Sequence, residues 1–105
     1  MMMVVIYKIL TPEEWAAFKK DGFFKGSPLD QKDGFIHASL VDQYPRILEK
    51  FFKDQRPLVL IKMNSTFLKP GALKLEANRP GGDHYPHIYG EIPLDAVISH
   101  EIVDM

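Results

Sequence analysis

The chain has 105 residues, no cysteine and a formal net charge of −1. A chain of this length is expected to form one domain over residues 1–105, with a core that needs no disulfide. The nearly neutral charge, with no run of more than two basic residues, argues against broad nucleic-acid binding.

The apolar pattern predicts neither a leader peptide nor a membrane span. The first ten residues are apolar, but they lack the basic region and the small-residue cleavage site of a signal peptide. No stretch approaches the ~20 apolar residues that a transmembrane helix needs. We therefore expect a cytoplasmic protein with no membrane partner. No feature of the sequence indicates an oligomeric state.

The first third of the chain predicts a strand, a helix and a long loop. The β-branched and aromatic residues of Val4–Leu10 are typical of a strand. Thr11–Glu14 offers an N-cap threonine, a proline for the first turn and a capping-box glutamate, which predicts a helix over Pro12–Lys20. Gly22–Gly34 contains three glycines, one proline and two aspartates, and this composition predicts a long loop.

The strand predicted after this loop, Phe35–Leu40, carries a histidine and a serine on one face. Because strand side chains alternate, Phe35, His37 and Ser39 share one side, and the apolar residues between them face the core. His37 and Ser39 are then about 7 Å apart along the strand. A histidine can donate or accept protons near neutral pH, and a serine can act as nucleophile or bind a substrate hydroxyl.

The rest of the chain predicts one more helix and four more strands. These are a helix over 42–53 and strands over 57–63, 73–76, 87–92 and 96–103, with a second long loop over 77–86. No helix after residue 53 is long enough to cross over between parallel strands. The order predicts an α+β fold with a mixed or largely antiparallel sheet and two helices; the resemblance described below implies that this sheet is split.

Polar residues fall into two clusters, each joining a glycine-containing loop to a strand. The first cluster consists of Ser27, Asp30, Asp33, His37 and Ser39. The second cluster includes Glu76, Arg79, His87 and Tyr89. Arg79 lies beside a Gly-Gly pair, and a guanidinium with backbone amides suits an anion or a phosphate. Two such loop–strand junctions at one end of a sheet would form a cleft.

Two other kinds of site remain open from the residues alone. A Ser–His–acid hydrolase is recognised by geometry rather than by order, although the chain has no G-x-S-x-G motif. His37, His84 and His87 could converge with Asp33 on zinc, although Pro86 prevents a helical H-x-x-H. We assign no metal. Each polar residue also has a purely structural explanation, as a solvated or hydrogen-bonded side chain.

With these motifs placed, the chain resembles the bacterial family known as domain of unknown function 952. The matching motifs are I-Y-K-I (6–9), E-W (14–15), G-x-F-x-G-S (22–27), D-G-F-I-H-A-S (33–39), Gln43, L-K-L-E (73–76), R-P-G-G (79–82) and P-H-I-Y-G (86–90). They cover essentially the whole chain. Three positions depart from the family pattern: Leu40 replaces a threonine, Leu75 replaces a tryptophan, and Pro80 is inserted after the arginine.

The resemblance implies a fold and a ligand. Members of this family look like the ADP-ribosyltransferase fold, in which a split, bent sheet holds NAD in a central cleft. Transferases of that fold use a glutamate on a late strand. Glu91 is the late-strand acid near the second cluster here, and the identity of a catalytic glutamate stays open. The residues themselves indicate no cofactor.

We therefore expect a small enzyme of ADP-ribosyltransferase-like fold that acts on NAD or a related nucleotide. In this hypothesis His37 contacts the ribose or acts as acid and base, while Ser39 and Tyr89 position the ribose and the ring. Arg79 holds a phosphate, and Glu76 or His87 orients the neighbours, with Ser27 at the substrate. The alternatives are a non-catalytic module that binds a small anionic metabolite or nucleotide, and a structural protein with solvated polar loops.

Overall fold

Every strand pairing in residues 3–104, the part of the chain that this computed structural model describes, is antiparallel. The elements form a small α+β domain. The helices are α1 (Pro12–Asp21), α2 (Pro28–Asp33) and α3 (Tyr44–Phe52). The strands are β1 (Val5–Leu10), β2 (Phe23–Phe24), β3 (Ile36–His37), β4 (Leu58–Asn64), β5 (Leu73–Ala77), β6 (His84–Ile88), β7 (Ile92–Pro93) and β8 (Val97–Val103).

The described strands are divided among three sheets, and the largely antiparallel pairing predicted from the sequence is confirmed among them. The largest has the order β1-β4-β8, and its central strand β4 is the continuous apolar run of the sequence. A second sheet has the order β3-β6-β5, and β2 pairs with β7 in a third. Backbone hydrogen bonds between Tyr7 and Ser39 join the first sheet to the end of β3.

The first predicted helix is confirmed with its caps. The Thr11 hydroxyl accepts from the backbone N–H of Glu14, and the Glu14 carboxylate accepts from that of Thr11. Gly22 ends α1 in the left-handed conformation, with φ of 83°. The predicted helix over 42–53 is also present, as α3, and it begins two residues later because its proline lies in the first turn.

The prediction of an unstructured loop over Gly22–Gly34 was wrong. This segment contains β2 and α2, so the domain has three α-helices within residues 3–104 and not two. Ser27 and Asp30 form a capping box around a first-turn proline, which is the same signature that begins α1. Gly34, with φ of 85°, ends α2 directly before the histidine strand.

The second predicted loop was also too long. β6 begins at His84, three residues before the predicted strand, because its first residues pair with the end of β5 at Ala77. The predicted strand over 87–92 is interrupted after Ile88, and β7 covers only Ile92–Pro93.

The main core lies between the large sheet, α1 and the inner face of the β3-β6-β5 sheet. Its fully buried members include Ile6, Phe18, Ile61 and Ile88. A smaller apolar cluster lies where α3 covers Leu58 and Leu60 of β4. None of the helices within residues 3–104 has the length and apolar character needed to cross a bilayer.

Candidate functional site

The histidine strand and the second polar cluster lie side by side. β3 and β6 pair so that His37 is directly opposite His87, and the centroids of the two rings are 5.9 Å apart. The predicted contact between segments 35–39 and 86–90 is therefore confirmed. Alternation along the first segment holds as well, because Ile36 and Ala38 are buried in the core.

A cavity of about 990 Å³ opens in front of these strands, with walls from β1, α2, α3, β5 and β6. Its volume is that of a typical small-molecule site. Six of the seven predicted site residues line it. They are Ser27, His37, Ser39, Glu76, His87 and Tyr89. The cavity is the hollow that the sequence predicted.

The imidazole of His37 lies between two aspartates. Its Nδ1 atom is 2.6 Å from Oδ1 of Asp30, and its Nε2 atom is 2.9 Å from Oδ2 of Asp33. The contact with Asp30 is a hydrogen bond, and the contact with Asp33 lies within ion-pair distance. The backbone N–H of His37 also donates to Oδ1 of Asp30, at 3.0 Å. Asp30 therefore fixes both the ring and the backbone of His37.

Asp30 in turn forms a buried ion pair with Lys8. The Lys8 Nζ atom is 3.0 Å from Oδ2 of Asp30, and the carboxylate is only 1% exposed. Burial alone would raise the pKa of Asp30, but the hydrogen bond from His37 and the charge of Lys8 outweigh it and hold that pKa below its ordinary value. Burial lowers the pKa of the Lys8 ammonium, and Asp30 opposes this shift.

The position of Asp30 depends on the first turn of α2. Its Oδ2 atom accepts from the backbone N–H of Ser27 at 2.8 Å, and its own N–H donates to the Ser27 hydroxyl at 3.2 Å. Gly26 packs against this turn with φ of 108°, and a Cβ there would lie 2.8 Å from Cβ of Asp30. The turn therefore depends on a glycine at this position.

A second hydrogen-bonded group lies on the other side of the cavity. Oε1 of Glu76 accepts from Nδ1 of His87 at 2.9 Å and from the Tyr89 hydroxyl at 2.6 Å. Nε2 of His87 lies 3.0 Å from the Asn78 side chain. The Tyr89 hydrogen bond, with that of His87, lowers the pKa of Glu76, and the same bond raises the pKa of Tyr89.

Phe35 connects the two groups through ring contacts. It stacks on His87 with a centroid distance of 4.0 Å and lies 4.7 Å from His37 and 5.4 Å from Tyr89. His87 is only 3% exposed, with both nitrogens bonded and one face covered by Phe35. Such an enclosed ring is better suited to positioning its neighbours than to transferring protons.

Comparison with known proteins assigns the chain to a family. A family model described as "Protein of unknown function (DUF952)" matches residues 9–100. The chain belongs to the DUF952 family. No curated protein matches it.

Solved structures of a protein from Caulobacter crescentus share this fold. The crystal structure of CC0527 from Caulobacter crescentus is 38% identical, with a TM-score of 0.88 over 97% of this chain and 88% of that chain. The solution NMR structure of CC0527 is 39% identical, with a TM-score of 0.82 over 96% and 85% of the two chains. The DUF952 fold seen here is therefore also found in experimental structures.

The two predicted serines of this DUF952 protein have different surroundings. The Ser27 hydroxyl caps α2. Ser39 is only 6% exposed, and its backbone exchanges two hydrogen bonds of 2.8 Å with Tyr7. Both residues line the cavity, and Ser39 lies two residues along the strand from His37.

Three other predicted residues lie outside the cavity wall. Arg79 is exposed and lines a smaller neighbouring hollow of about 350 Å³. Glu91 is exposed and lies between β6 and β7. The side chain of His84 is exposed, and its backbone oxygen accepts from Gln43. Within residues 3–104, no three His, Asp or Glu side chains form a group that could hold a metal ion.

The sequence analysis did not identify the role of Lys8 or of Asp30. Lys8 lies on the same face of β1 as Ile6 and Leu10, which are both fully buried. The available signal was therefore a lysine at a core-facing position. For Asp30 the signal was the capping box that it forms with Ser27. A buried lysine needs a buried acid, and these two patterns together could have indicated the pair.

Proposed function

We propose that this DUF952 protein is an enzyme of ADP-ribosyltransferase-like fold that acts on NAD or a related nucleotide in the cavity at His37. The observation that carries the proposal is the arrangement of His37 between Asp30 and Asp33, beside an aromatic wall of Phe35 and Tyr89. Split antiparallel sheets with a cleft between them are consistent with that fold, but the analogy of fold alone does not establish a function.

The charge of the cavity supports this class of substrate. Its walls contain four carboxylates and one ammonium, the buried Lys8 that Asp30 already pairs. The nicotinamide ring of NAD is a cation while it is attached to ribose. A carboxylate-rich pocket with an exposed tyrosine ring favours such a cation, through charge and through contact with the aromatic face.

Glu76 is the carboxylate best suited to assist cleavage of the bond between nicotinamide and ribose. When the bond between nicotinamide and ribose breaks, the nicotinamide nitrogen keeps the electron pair and positive charge develops on the ribose. Glu76 is ionised at neutral pH, and the Tyr89 hydrogen bond lowers its pKa further below that range. Its carboxylate can stabilise that charge and accept the proton of the attacking hydroxyl or water.

The other residues then have positioning roles. Asp33 is 38% exposed at its side chain, so a ribose hydroxyl can replace it as acceptor for Nε2 of His37. Ser39 and Tyr89 contact the ribose and the ring. His87 orients Glu76, and Ser27 keeps Asp30 in place. Glu76 takes the part of the catalytic glutamate, which the sequence analysis left open, and Glu91 is not among the residues that line the cavity.

A simple anion-binding module is less well supported by this cavity. An anion placed near His37 would meet Asp30, Asp33 and Glu76, with only one ammonium to oppose them. This arrangement favours the enzymatic proposal over a module for small anionic metabolites.

The test is a binding and turnover assay with NAD and its fragments. We expect NAD to raise the melting temperature of the wild-type protein, and chromatography to detect slow release of nicotinamide. His37→Ala should remove both effects. His84→Ala is the matched control, because it removes an exposed histidine on the same sheet that does not line the cavity.

Glu76→Gln separates catalysis from binding. It keeps a hydrogen-bond acceptor for His87 and Tyr89 but removes the charge, so we expect NAD to bind while nicotinamide release falls at least 10²-fold. A wild-type protein that neither binds nor cleaves NAD, NADP or ADP-ribose would contradict the proposal.

A further inference from the structure

The smaller hollow beside the main cavity carries the opposite charge. Its walls come from the exposed side of α3 and from the turn between β5 and β6. The charged residues in those walls are Arg46, Lys50, Arg79 and Asp83. Three cations therefore face one carboxylate here, whereas the main cavity has four carboxylates and one ammonium.

The two hollows are neighbours and share part of their lining. Ile47, Phe51, Asn78 and Tyr85 line both of them. Asn78 also contacts His87, so the wall between the hollows extends directly from the hydrogen-bonded group of the main cavity. A single extended ligand that occupies both hollows would lie across these four shared side chains.

The cations of the smaller hollow are available to a ligand. Within residues 3–104, no side chain pairs with the Arg79 guanidinium. The Lys50 ammonium lies over the ring of Phe51, 5.3 Å from its centroid. Arg46 contacts Asp83 at 3.3 Å, but both side chains are more than half exposed, and such a pair contributes little.

Gly82 shapes the surroundings of Arg79. Its backbone N–H donates to the Arg79 carbonyl at 3.0 Å, and a Cβ at Gly82 would lie 3.0 Å from Cγ of the arginine. The side chain of Arg79 therefore lies directly over a residue that has no side chain. A side chain at position 82 would therefore displace the arginine side chain from this position.

We propose that the smaller hollow is a phosphate subsite, and that the ligand spans both hollows in a single orientation. Its phosphate or diphosphate binds Arg79 and Lys50, with Arg46 released from Asp83, and its cationic or uncharged ring end reaches His37. A guanidinium matches phosphate oxygens with two parallel hydrogen bonds, and an ammonium adds charge. This inference rests on the proposed function, since it assigns the two ends of that substrate.

The test compares probes with and without phosphate by isothermal titration. We expect ADP-ribose to bind the double variant Arg79→Ala/Lys50→Ala at least tenfold more weakly than it binds the wild-type protein. The affinity of the double variant for nicotinamide riboside should stay within twofold of the wild-type value. Asp83→Asn should tighten ADP-ribose two- to threefold, because it frees Arg46. Lys69→Ala, an exposed lysine outside both hollows, is the control and should change neither affinity.

The outcomes separate this inference from the proposed function. If ADP-ribose binds the double variant as tightly as wild type while His37→Ala abolishes binding, the phosphate lies elsewhere, and only the inference fails. If wild type binds inorganic pyrophosphate through Arg79 and Lys50 but binds no nucleotide, the subsite stands and the proposed function fails. Absence of binding for every probe would overturn both.

Discussion

Lys8 and Asp30 form an ion pair, with Nζ 3.0 Å from Oδ2, that is almost completely removed from water beneath the cavity. Their side chains are 10% and 1% exposed. The same carboxylate holds the Nδ1 atom and the backbone N–H of His37. The pair therefore links the central sheet, through β1, to the histidine that we place at the centre of the site.

Removing either partner of this pair should strongly destabilise the protein. Asp30→Asn leaves a buried ammonium without its counter-charge, and we expect the free energy of unfolding to fall by about 3–5 kcal/mol. Lys8→Met leaves the carboxylate with its hydrogen bonds to His37 and to the backbone of Ser27, so the loss should be smaller. Urea denaturation followed by the fluorescence of Trp15, the single tryptophan, measures both.

The double variant Lys8→Met/Asp30→Asn tests whether the two charges act on each other. It leaves neither charge buried alone, so it should be more stable than the sum of the two single losses predicts. Additive losses would mean that the two residues contribute independently, contrary to the geometry.

Asp30 should also make stability depend on acid pH. Because its pKa is held below the ordinary value in the folded state, the folded protein binds fewer protons than the unfolded chain there. This contribution is complete above the unfolded pKa of about 3.9 and is lost as pH falls below it. We expect the difference in stability between pH 7 and pH 3 to be smaller in Asp30→Asn than in wild type.

Asp54→Asn is the control for this pH dependence, because Asp54 is exposed. It should keep the wild-type difference between pH 7 and pH 3. An unchanged pH dependence in Asp30→Asn would show that other carboxylates cause the loss of stability in acid.

Much of the fold follows from local signals in the sequence, as the elements on both sides of the site illustrate. The capping residues of α1 and the apolar run of β4 predict those elements directly. The same capping pattern at Ser27 was overlooked, because the glycines around it are typical of a loop. α2 has only six residues, and its tertiary contacts with His37 and Lys8 stabilise it beyond its local preferences.

The candidate site was predictable in part. Alternation in segment 35–40 puts His37 and Ser39 on the cavity side, and the pairing of β3 with β6 supplies His87. Which polar residues meet across sheets depends on register, and register is not contained in any one strand. The long-range contacts of Lys8 with Asp30 and of Phe35 with His87 could therefore be seen only in three dimensions.

Glu76 should control the titration of the Tyr89 hydroxyl. The hydrogen bond of 2.6 Å to the carboxylate raises the pKa of the tyrosine, and Glu76→Gln removes the charge that causes this. We expect the Tyr89 titration, followed by NMR of labelled tyrosine, to move toward its ordinary value of about 10.

Glu49→Gln is the control, because Glu49 is exposed and does not line the cavity. It should leave the Tyr89 titration unchanged. A Tyr89 titration that does not move in Glu76→Gln would show that the hydroxyl has another partner in solution.

Gly26 should be the glycine whose replacement affects the site most. Gly26→Ala requires a φ of 108° from an L-residue and brings its Cβ to 2.8 Å from Cβ of Asp30, so we expect a loss of about 2–4 kcal/mol in stability. Gly71→Ala is the matched control, because Gly71 has φ of 81° but no atom near the added methyl group. It should lose about 1–2 kcal/mol, the cost of the left-handed conformation alone.

In Gly26→Ala the backbone N–H of His37, which donates to Asp30, should also exchange with deuterium faster than in Gly71→Ala. Equal losses in the two variants, with equal exchange at His37, would mean that the turn at Ser27 does not depend on the space that Gly26 leaves.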